Sequence, residues 1–399
     1  MKLTSCRTAL GLAGGALGLA CAMAPIPAQA ATTGWRVYDK IQVAGGGDVA
    51  ELTSIAVVSA TDAWAAGDSF DDVGTGPAIV LHWTGKAWRH VKLPGKVAAF
   101  WNADGGGEAV DVVGASAHSV WAFDGGGGFI HLGSRGWTTG TVPGTSSSYL
   151  RTVTVSTVKV FSPTDVWIFG GIPQGVNYAV AIPYAAHFNG RKWVRTAFPG
   201  SGEVAGVSAI SERDMWAVAG PTSASAGVGR ASVLRWTGKR WQPVKVQPPK
   251  LPKGAGWTAI DARSDRDAWV AGGGASPSGA ATRTPERIYH WSGKRWSVTA
   301  LPARASANGF KMVSLAPDGS GLWGLDSIVI TPMMGGPAPI ESPCSMIWHL
   351  TRTKWTGTKA PSRSACLYQL ASVGSGNSTW AVGTSLDDGL IALAGPAPR

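Results

Sequence analysis

Apolar residues in this chain come in short runs, with polar and apolar positions alternating inside many of them. The runs are separated by clusters of Gly, Ser, Thr, Asn and Lys. Alternation at a period of two, bounded by turn residues, predicts β-strands. One stretch shows the pattern: strands over 55–59, 63–68, 78–83 and 88–93, each about five or six residues long. The same set then recurs along the chain.

The recurring unit is an apolar strand, a Ser-x-x-Asp turn, x-Trp-Ala-Val-Gly, a variable stretch, apolar-His-Trp-x-Gly-Lys-x-Trp, and a closing strand. Its first Trp falls at Trp64, Trp121, Trp167, Trp216, Trp269, Trp323 and Trp380. The second falls at Trp88, Trp137, Trp193, Trp241, Trp296 and Trp355. Self-similarity at roughly 50 residues is the mark of a repeat fold. One second Trp is missing at the C-terminal end. Residues 33–37, Thr-Gly-Trp-Arg-Val, match the missing strand, with Trp35 in the Trp position. The two ends then complete one unit between them, as a ring needs if it is to have no free edges. The expected fold is an all-β, seven-bladed propeller of four-stranded blades, closed by the N-terminal strand in the last blade. The first blade would hold strands A to D in chain order from the axis outward.

Composition agrees. The chain has 20 Trp, 55 Gly and 25 Pro, too many helix breakers for long helices. Ser59, Ser116, Ser162, Ser211, Ser264 and Ser375, with Asp62, Asp165, Asp214 and Asp267, are expected to accept backbone N–H groups and fix the A–B turns. Residues 1–30 read as a signal peptide: Lys2 and Arg7, an apolar stretch over 10–23, and Ala28-Gln29-Ala30 at the cleavage site. A lipoprotein box ending at Cys21 is the alternative, weakened by Gly18. The expected product is a secreted, extracellular, monomeric protein with a single propeller domain over 31–399. No later run is long enough for a transmembrane helix. In an oxidising compartment, Cys344 and Cys366 are expected to form a disulfide.

The unit resembles the Trp-rich propellers common among secreted actinobacterial proteins, and more distantly the BNR-repeat propellers of the sialidase and photosystem-assembly-factor kind. The resemblance covers nearly all of the chain after the leader. It implies fold, not activity, since such propellers include enzymes, lectins and assembly factors.

Candidate chemistry is sparse. Five of the seven histidines, His82, His131, His187, His290 and His349, hold one repeat position. Equivalent residues on successive blades point apart around the ring, so a hydrogen-bonding role is expected and no metal site. No cofactor is implied. Sialidase-type catalysis finds no matching Tyr, Glu or Arg set. Asp111, Asp261 and Lys159 lie on innermost strands and could face the channel. Asp68, Asp71 and Asp72 are read as one loop cluster, either solvated or calcium-binding. The formal net charge of +11 fits weak attraction to anionic surfaces, but the basic residues are scattered through the turns as on a solvated rim. No nucleic-acid motif is present, and nucleic acid is not expected as a partner.

The A–B and C–D turns are short and uniform, whereas the B–C and D–A connections are long and irregular. Ligands are expected on the irregular face. Trp101 and Trp257 fall outside the repeat pattern, in or beside D–A connections. They are the expected aromatic anchors, with Asn102, Asp104 and Asp68 setting orientation; the alternative is that they plug gaps between blades. The leading reading is a non-catalytic binding or recognition module for a glycan, a cell-wall polymer or an extracellular protein. The alternatives are a carbohydrate-active hydrolase or lyase, which would need two carboxylates suitably spaced on that face, and a structural or assembly scaffold.

Overall fold

A computed structural model describes residues 35–41, 49–71, 74–102, 110–116, 118–145, 153–174, 180–220, 231–251, 255–273, 287–301, 310–317, 321–328, 345–351, 354–359, 365–372, 379–385 and 389–395. Seven four-stranded antiparallel sheets form the blades of a β-propeller. Blade 1 is β2 (Val49–Ser59), β3 (Asp62–Asp71), β4 (Gly74–Trp83) and β5 (Trp88–His90). Blade 2 is β6 (Val110–Ser116), β7 (Ser119–Asp124), β8 (Gly128–Gly133) and β9 (Gly136–Thr141). Blade 3 is β10 (Thr154–Ser162), β11 (Asp165–Gln174), β12 (Val180–Phe188) and β13 (Trp193–Arg195). Blade 4 is β14 (Glu203–Ser211), β15 (Asp214–Gly220), β16 (Ser232–Trp236) and β17 (Trp241–Pro243). Blade 5 is β18 (Gly256–Ser264), β19 (Asp267–Gly273), β20 (Arg287–Trp291) and β21 (Trp296–Ala300). Blade 6 is β22 (Phe310–Pro317), β23 (Gly321–Ile328), β24 (Ser345–Thr351) and β25 (Lys354–Lys359).

Blade 7 joins the two ends of the chain. Its strands β26 (Ala365–Ser372), β27 (Thr379–Ser385) and β28 (Gly389–Ala394) are completed by β1 (Arg36–Ile41), which pairs antiparallel to β28 from Arg36 opposite Ala394 to Ile41 opposite Leu390. Trp35 takes the role of a strand-D Trp. It meets the strand-B Trp323 of blade 6 edge-on, with centroids 5.4 Å apart, as Trp88 meets Trp380 at 5.6 Å and Trp193 meets Trp121 at 5.7 Å. These rings fill the wedge between neighbouring blades. Burying about 200 Å² per indole contributes up to roughly 5 kcal/mol.

Each repeat position now has a physical role. The turn Ser accepts the N–H two residues on, at 3.2 Å in Ser59/Thr61, Ser162/Thr164 and Ser264/Arg266 and at 3.3 Å in Ser211/Arg213. The turn Asp was expected to do likewise, but its carboxylate meets a strand-C side chain instead. His82 Nε2 lies 3.0 Å from Asp62, His187 2.8 Å from Asp165, and His290 2.9 Å from Asp267. All five repeat histidines stack on the strand-B Trp directly across the sheet, with centroids 3.8 to 4.3 Å apart. Blade 4 substitutes Arg235, which grips Asp214 with two bonds of 2.7 Å and lies over Trp216.

Two differences from the sequence reading concern the irregular face. The D–A connection after blade 1 holds a helix, α1 (Gly95–Asn102). Its stripe Val97, Phe100 and Trp101 packs on the core between blades 1 and 2. The residues read as an acidic loop start on a strand: Asp68 and Asp71 lie in β3, and Asp72 is outside the described residues.

Candidate functional site

Every innermost strand bulges near its start, on the side of the B–C and D–A connections. The register slips between Leu52 and Ser54 in blade 1, and correspondingly in the other six. The residues left over are Thr53, Asp111, Ser156, Ala205, Thr258, Val313 and Tyr368, and five of them carry a hydroxyl or a carboxyl. A bulge bends the strand and re-aims side chains. It also explains the Gly three residues after the strand-B Trp. A Cβ on Gly67, Gly170 or Gly383 would collide with the backbone carbonyl oxygen of Glu51, Thr154 or Cys366 across the ladder.

The bulges place three polar groups together between blades 7 and 1. Tyr368 Oη donates to Glu51 Oε1 at 2.9 Å. Glu51 lies directly opposite Asp68 in the β2–β3 register, so both side chains leave the same face of the blade. Asp68 is 3% exposed. Burial pushes the Glu51 carboxyl up, partly offset by the Tyr368 bond. Burial, then the Glu51 and Asp68 charges and the bond to Glu51, hold the Tyr368 phenol far above its usual range. That phenol stays protonated and serves as a donor. Glu203 of blade 4 holds the position equivalent to Glu51. It accepts a bond of 3.2 Å from Thr154 of blade 3, and burial raises its carboxyl too.

Toward the opposite face, three consecutive blades carry Lys159, Ser208 and Asp261 at one repeat position, opposite Trp167, Trp216 and Trp269. Ser208 Oγ donates to Asp261 at 2.5 Å, and the Ala262 N–H donates to the same oxygen at 2.8 Å. Burial lowers the Lys159 ammonium and raises the Asp261 carboxyl, while their mutual attraction opposes both shifts. This array ties blades 3, 4 and 5 together.

The residues expected to bind ligand are not gathered in one place. Trp257 is 7% exposed, edge-on to Tyr289 of its own blade at 5.3 Å and clustered with Trp216, Val218 and Val233 of blade 4, which is the placement of a plug between blades. Trp101 is half-buried on α1. Asn102 ends that helix, and Asp104 lies outside the described residues. Among the described residues, Asp68 joins the Tyr368–Glu51 cluster and Trp101 and Trp257 do not. Asp111 occupies the blade 2 bulge. Cys366 is buried in β26 and Cys344 is outside the described residues. Among the described residues no group of three or more His, Cys, Asp or Glu is placed to hold a metal ion, and no helix is long and apolar enough to cross a membrane.

No family model matches the chain, and no curated protein matches it in sequence. Solved structures do match in shape. YCF48 bound to a D1 peptide superposes with a TM-score of 0.53 at 12% identity, covering 92% of this chain and 97% of that one. YCF48 from Cyanidioschyzon merolae gives 0.50 at 13% identity, over 91% and 99%. A chain of the mitotic checkpoint complex gives 0.50 at 12% identity, over 87% and 91%. The shared feature is the fold. At these identities the propeller's likeness reaches no further than its architecture.

Proposed function

We propose that this propeller is a non-catalytic binding module, exported from the cell, which engages an extracellular protein, glycan or cell-wall polymer on its B–C/D–A face over the axial opening. The observation that carries this reading is the inter-blade Tyr368–Glu51 pair, aimed by strand bulges at the mouth of that face. Neighbouring blades hold it in place, and with the phenol hydrogen donated to Glu51, the phenol oxygen and the second carboxyl oxygen of Glu51 are left as acceptors for a ligand's donors. Rigid polar groups at the mouth of a variable-loop face are the usual anatomy of a binding site. A YCF48 structure of similar shape contains a bound peptide, which favours a peptide segment of a protein as the first ligand to test. The test is a combined glycan and peptide array probed with the purified protein and with its Tyr368→Phe and Glu51→Gln variants. Binding is expected in the parent and about tenfold weaker in both variants, the usual effect of losing a directed polar contact. Hits that both variants retain at full strength would overturn the site.

A second reading has one observation in its favour. Glu51 and Asp68 stand opposite one another, and carboxylate pairs of that kind perform glycoside hydrolysis. The burial of Asp68 and the commitment of Glu51 to Tyr368 count against it. Hydrolysis of aryl glycosides that disappears with Glu51→Gln would promote it above the binding role.

A further inference from the structure

The face opposite that mouth carries the A–B and C–D turns, and its charge is unevenly distributed. The C–D turn of blade 3 reads Asn189-Gly190-Arg191-Lys192, that of blade 4 Thr237-Gly238-Lys239-Arg240, and that of blade 5 Ser292-Gly293-Lys294-Arg295. Three consecutive blades thus each present two adjacent cations. Blade 6 carries two more cations, Arg352 and Lys354, around the turn between its third and fourth strands, whereas blades 1 and 2 have one each in the same turn, Lys86 and Arg135. Blade 7, whose outer strand comes from the other end of the chain, has no such turn.

The three turns are built alike. Gly190, Gly238 and Gly293 have φ of 83°, 79° and 85°, a left-handed conformation that favours glycine. In each, the first residue's N–H bonds to the fourth residue's carbonyl, at 3.3, 3.4 and 3.2 Å. The glycines pack against the A–B turns. A Cβ on Gly238 would lie 3.3 Å from Arg213, and one on Gly293 2.8 Å from Arg266. Two more arginines therefore border the same rim. Trp296 of blade 5 donates to the carbonyl of Val246, in the connection that leaves blade 4, at 2.8 Å, which ties these two blades together.

The six turn cations are exposed. None of them is in an ion pair among the described residues. The exposed acids beside them are Glu212, 3.5 Å from Arg213, and Asp265. Of the turn carboxylates, Asp214 is neutralised by Arg235, while Asp165 and Asp267, hydrogen-bonded to His187 and His290, lie back from the exposed turn tips and are half-buried.

We infer that this arc of Arg191, Lys192, Lys239, Arg240, Lys294 and Arg295 is a docking rail for a linear phosphate-bearing polyanion. Three observations select that partner. The paired charge runs through blades 3 to 6 and thins to single cations in blades 1 and 2, which matches a chain laid along part of the rim better than a plane pressed against the whole face. The adjacent Trp193, Trp241 and Trp296 are buried or half-buried between blades, and single-stranded nucleic acid is usually held on exposed stacking rings. The rim cations also stand on stiff hairpins, so little ordering is lost when several are engaged at once.

The test is fluorescence anisotropy of labelled long-chain inorganic polyphosphate, titrated with the full protein at several salt concentrations. Binding is expected to weaken linearly in log–log form as salt rises, since each cation engaged releases counterions. Lys239→Ala/Arg240→Ala should weaken binding about tenfold and reduce the salt slope by about 1.4, taking roughly 0.7 per charge on a flexible strand. Lys86→Ala/Arg135→Ala removes the same formal charge from blades 1 and 2 and should cost less than about threefold. Tripolyphosphate, too short to cross from blade to blade, should bind at least tenfold more weakly than the long chain. Equal losses in the two double variants would mean that net charge alone is responsible and would overturn the rail. Tighter binding to oligothymidylate or to phosphatidylserine vesicles than to polyphosphate would overturn the choice of partner. The rail lies on the face opposite the mouth, so Tyr368→Phe should leave polyphosphate binding unchanged, and the two readings can fail separately.

Discussion

His131 shows how one residue change alters a repeated motif. In blade 2 the turn Asp is replaced by Ser119, whose Oγ lies 2.9 Å from His131 Nε2 and accepts the Trp121 indole N–H at 2.8 Å. With no carboxylate to favour the imidazolium, burial lowers the His131 pKa to about 4. A histidine depressed on folding is held neutral in the native state, so its contribution is present above the unfolded value near 6.5 and is lost as pH falls from there toward 4. Proton NMR should show His131 titrating near 4, and Ser119→Asp should move it upward by about a unit or more. An unchanged titration in that variant would sink the account. Asp267 shifts in the direction usual for a carboxylate: the His290 bond lowers it, and its contribution is lost as pH falls through the folded value. Trp257 is a matter of packing. Trp257→Ala should lower unfolding free energy by about 3 kcal/mol or more in denaturant melts. A loss under about 1 kcal/mol, as at a surface site, would restore the exposed-anchor reading. The sequence named the structural residues well because each acts within its own repeat. It missed the Tyr368–Glu51 pair because those residues are 317 positions apart and no local pattern connects them.

At the scale of the element, the strands and their order were legible from alternation and from the paired Trp positions, down to Trp35 as the missing member of blade 7. Removing 31–44 should expose the β28 edge and yield an aggregating protein in size-exclusion chromatography. A monomer with unchanged melting would contradict the closure. The bulges were not read, although the x-Trp-Ala-Val-Gly unit carries their trace in the Gly that must face a displaced backbone. Gly67→Ala should therefore destabilise by several kcal/mol, on the order of a cavity-forming core mutation, whereas Gly95→Ala, with open space around its Cβ position, should be nearly neutral. Helix α1 escaped because eight residues with one apolar stripe look like a loop in a strand-rich sequence. The expected Cys344–Cys366 disulfide remains a proposal, since Cys344 lies outside the described residues. Ser345 Oγ accepts the Leu367 N–H at 2.9 Å, so the residues next to the two cysteines are in contact. Non-reducing peptide mapping of protein produced in an oxidising compartment should recover the cross-linked pair, and two free thiols would rule it out.

Across the whole molecule, the basic residues that look scattered in the sequence become ordered only when the blades are stacked. Three turns separated by about fifty residues each fall on neighbouring rims, so the arc belongs to the ring and not to any segment. The acidic mouth and the basic arc then lie on opposite faces, giving the disc two chemically distinct sides. The seam in blade 7 also fixes a timetable. A ribosome delivers β1 first and β28 last, and chain elongation at about 5 to 20 residues per second puts roughly 20 to 70 s between them. Throughout that interval the outermost strand of the final blade has no neighbour to join, so an unfinished polypeptide must be kept from pairing with another of its kind until the last strand arrives.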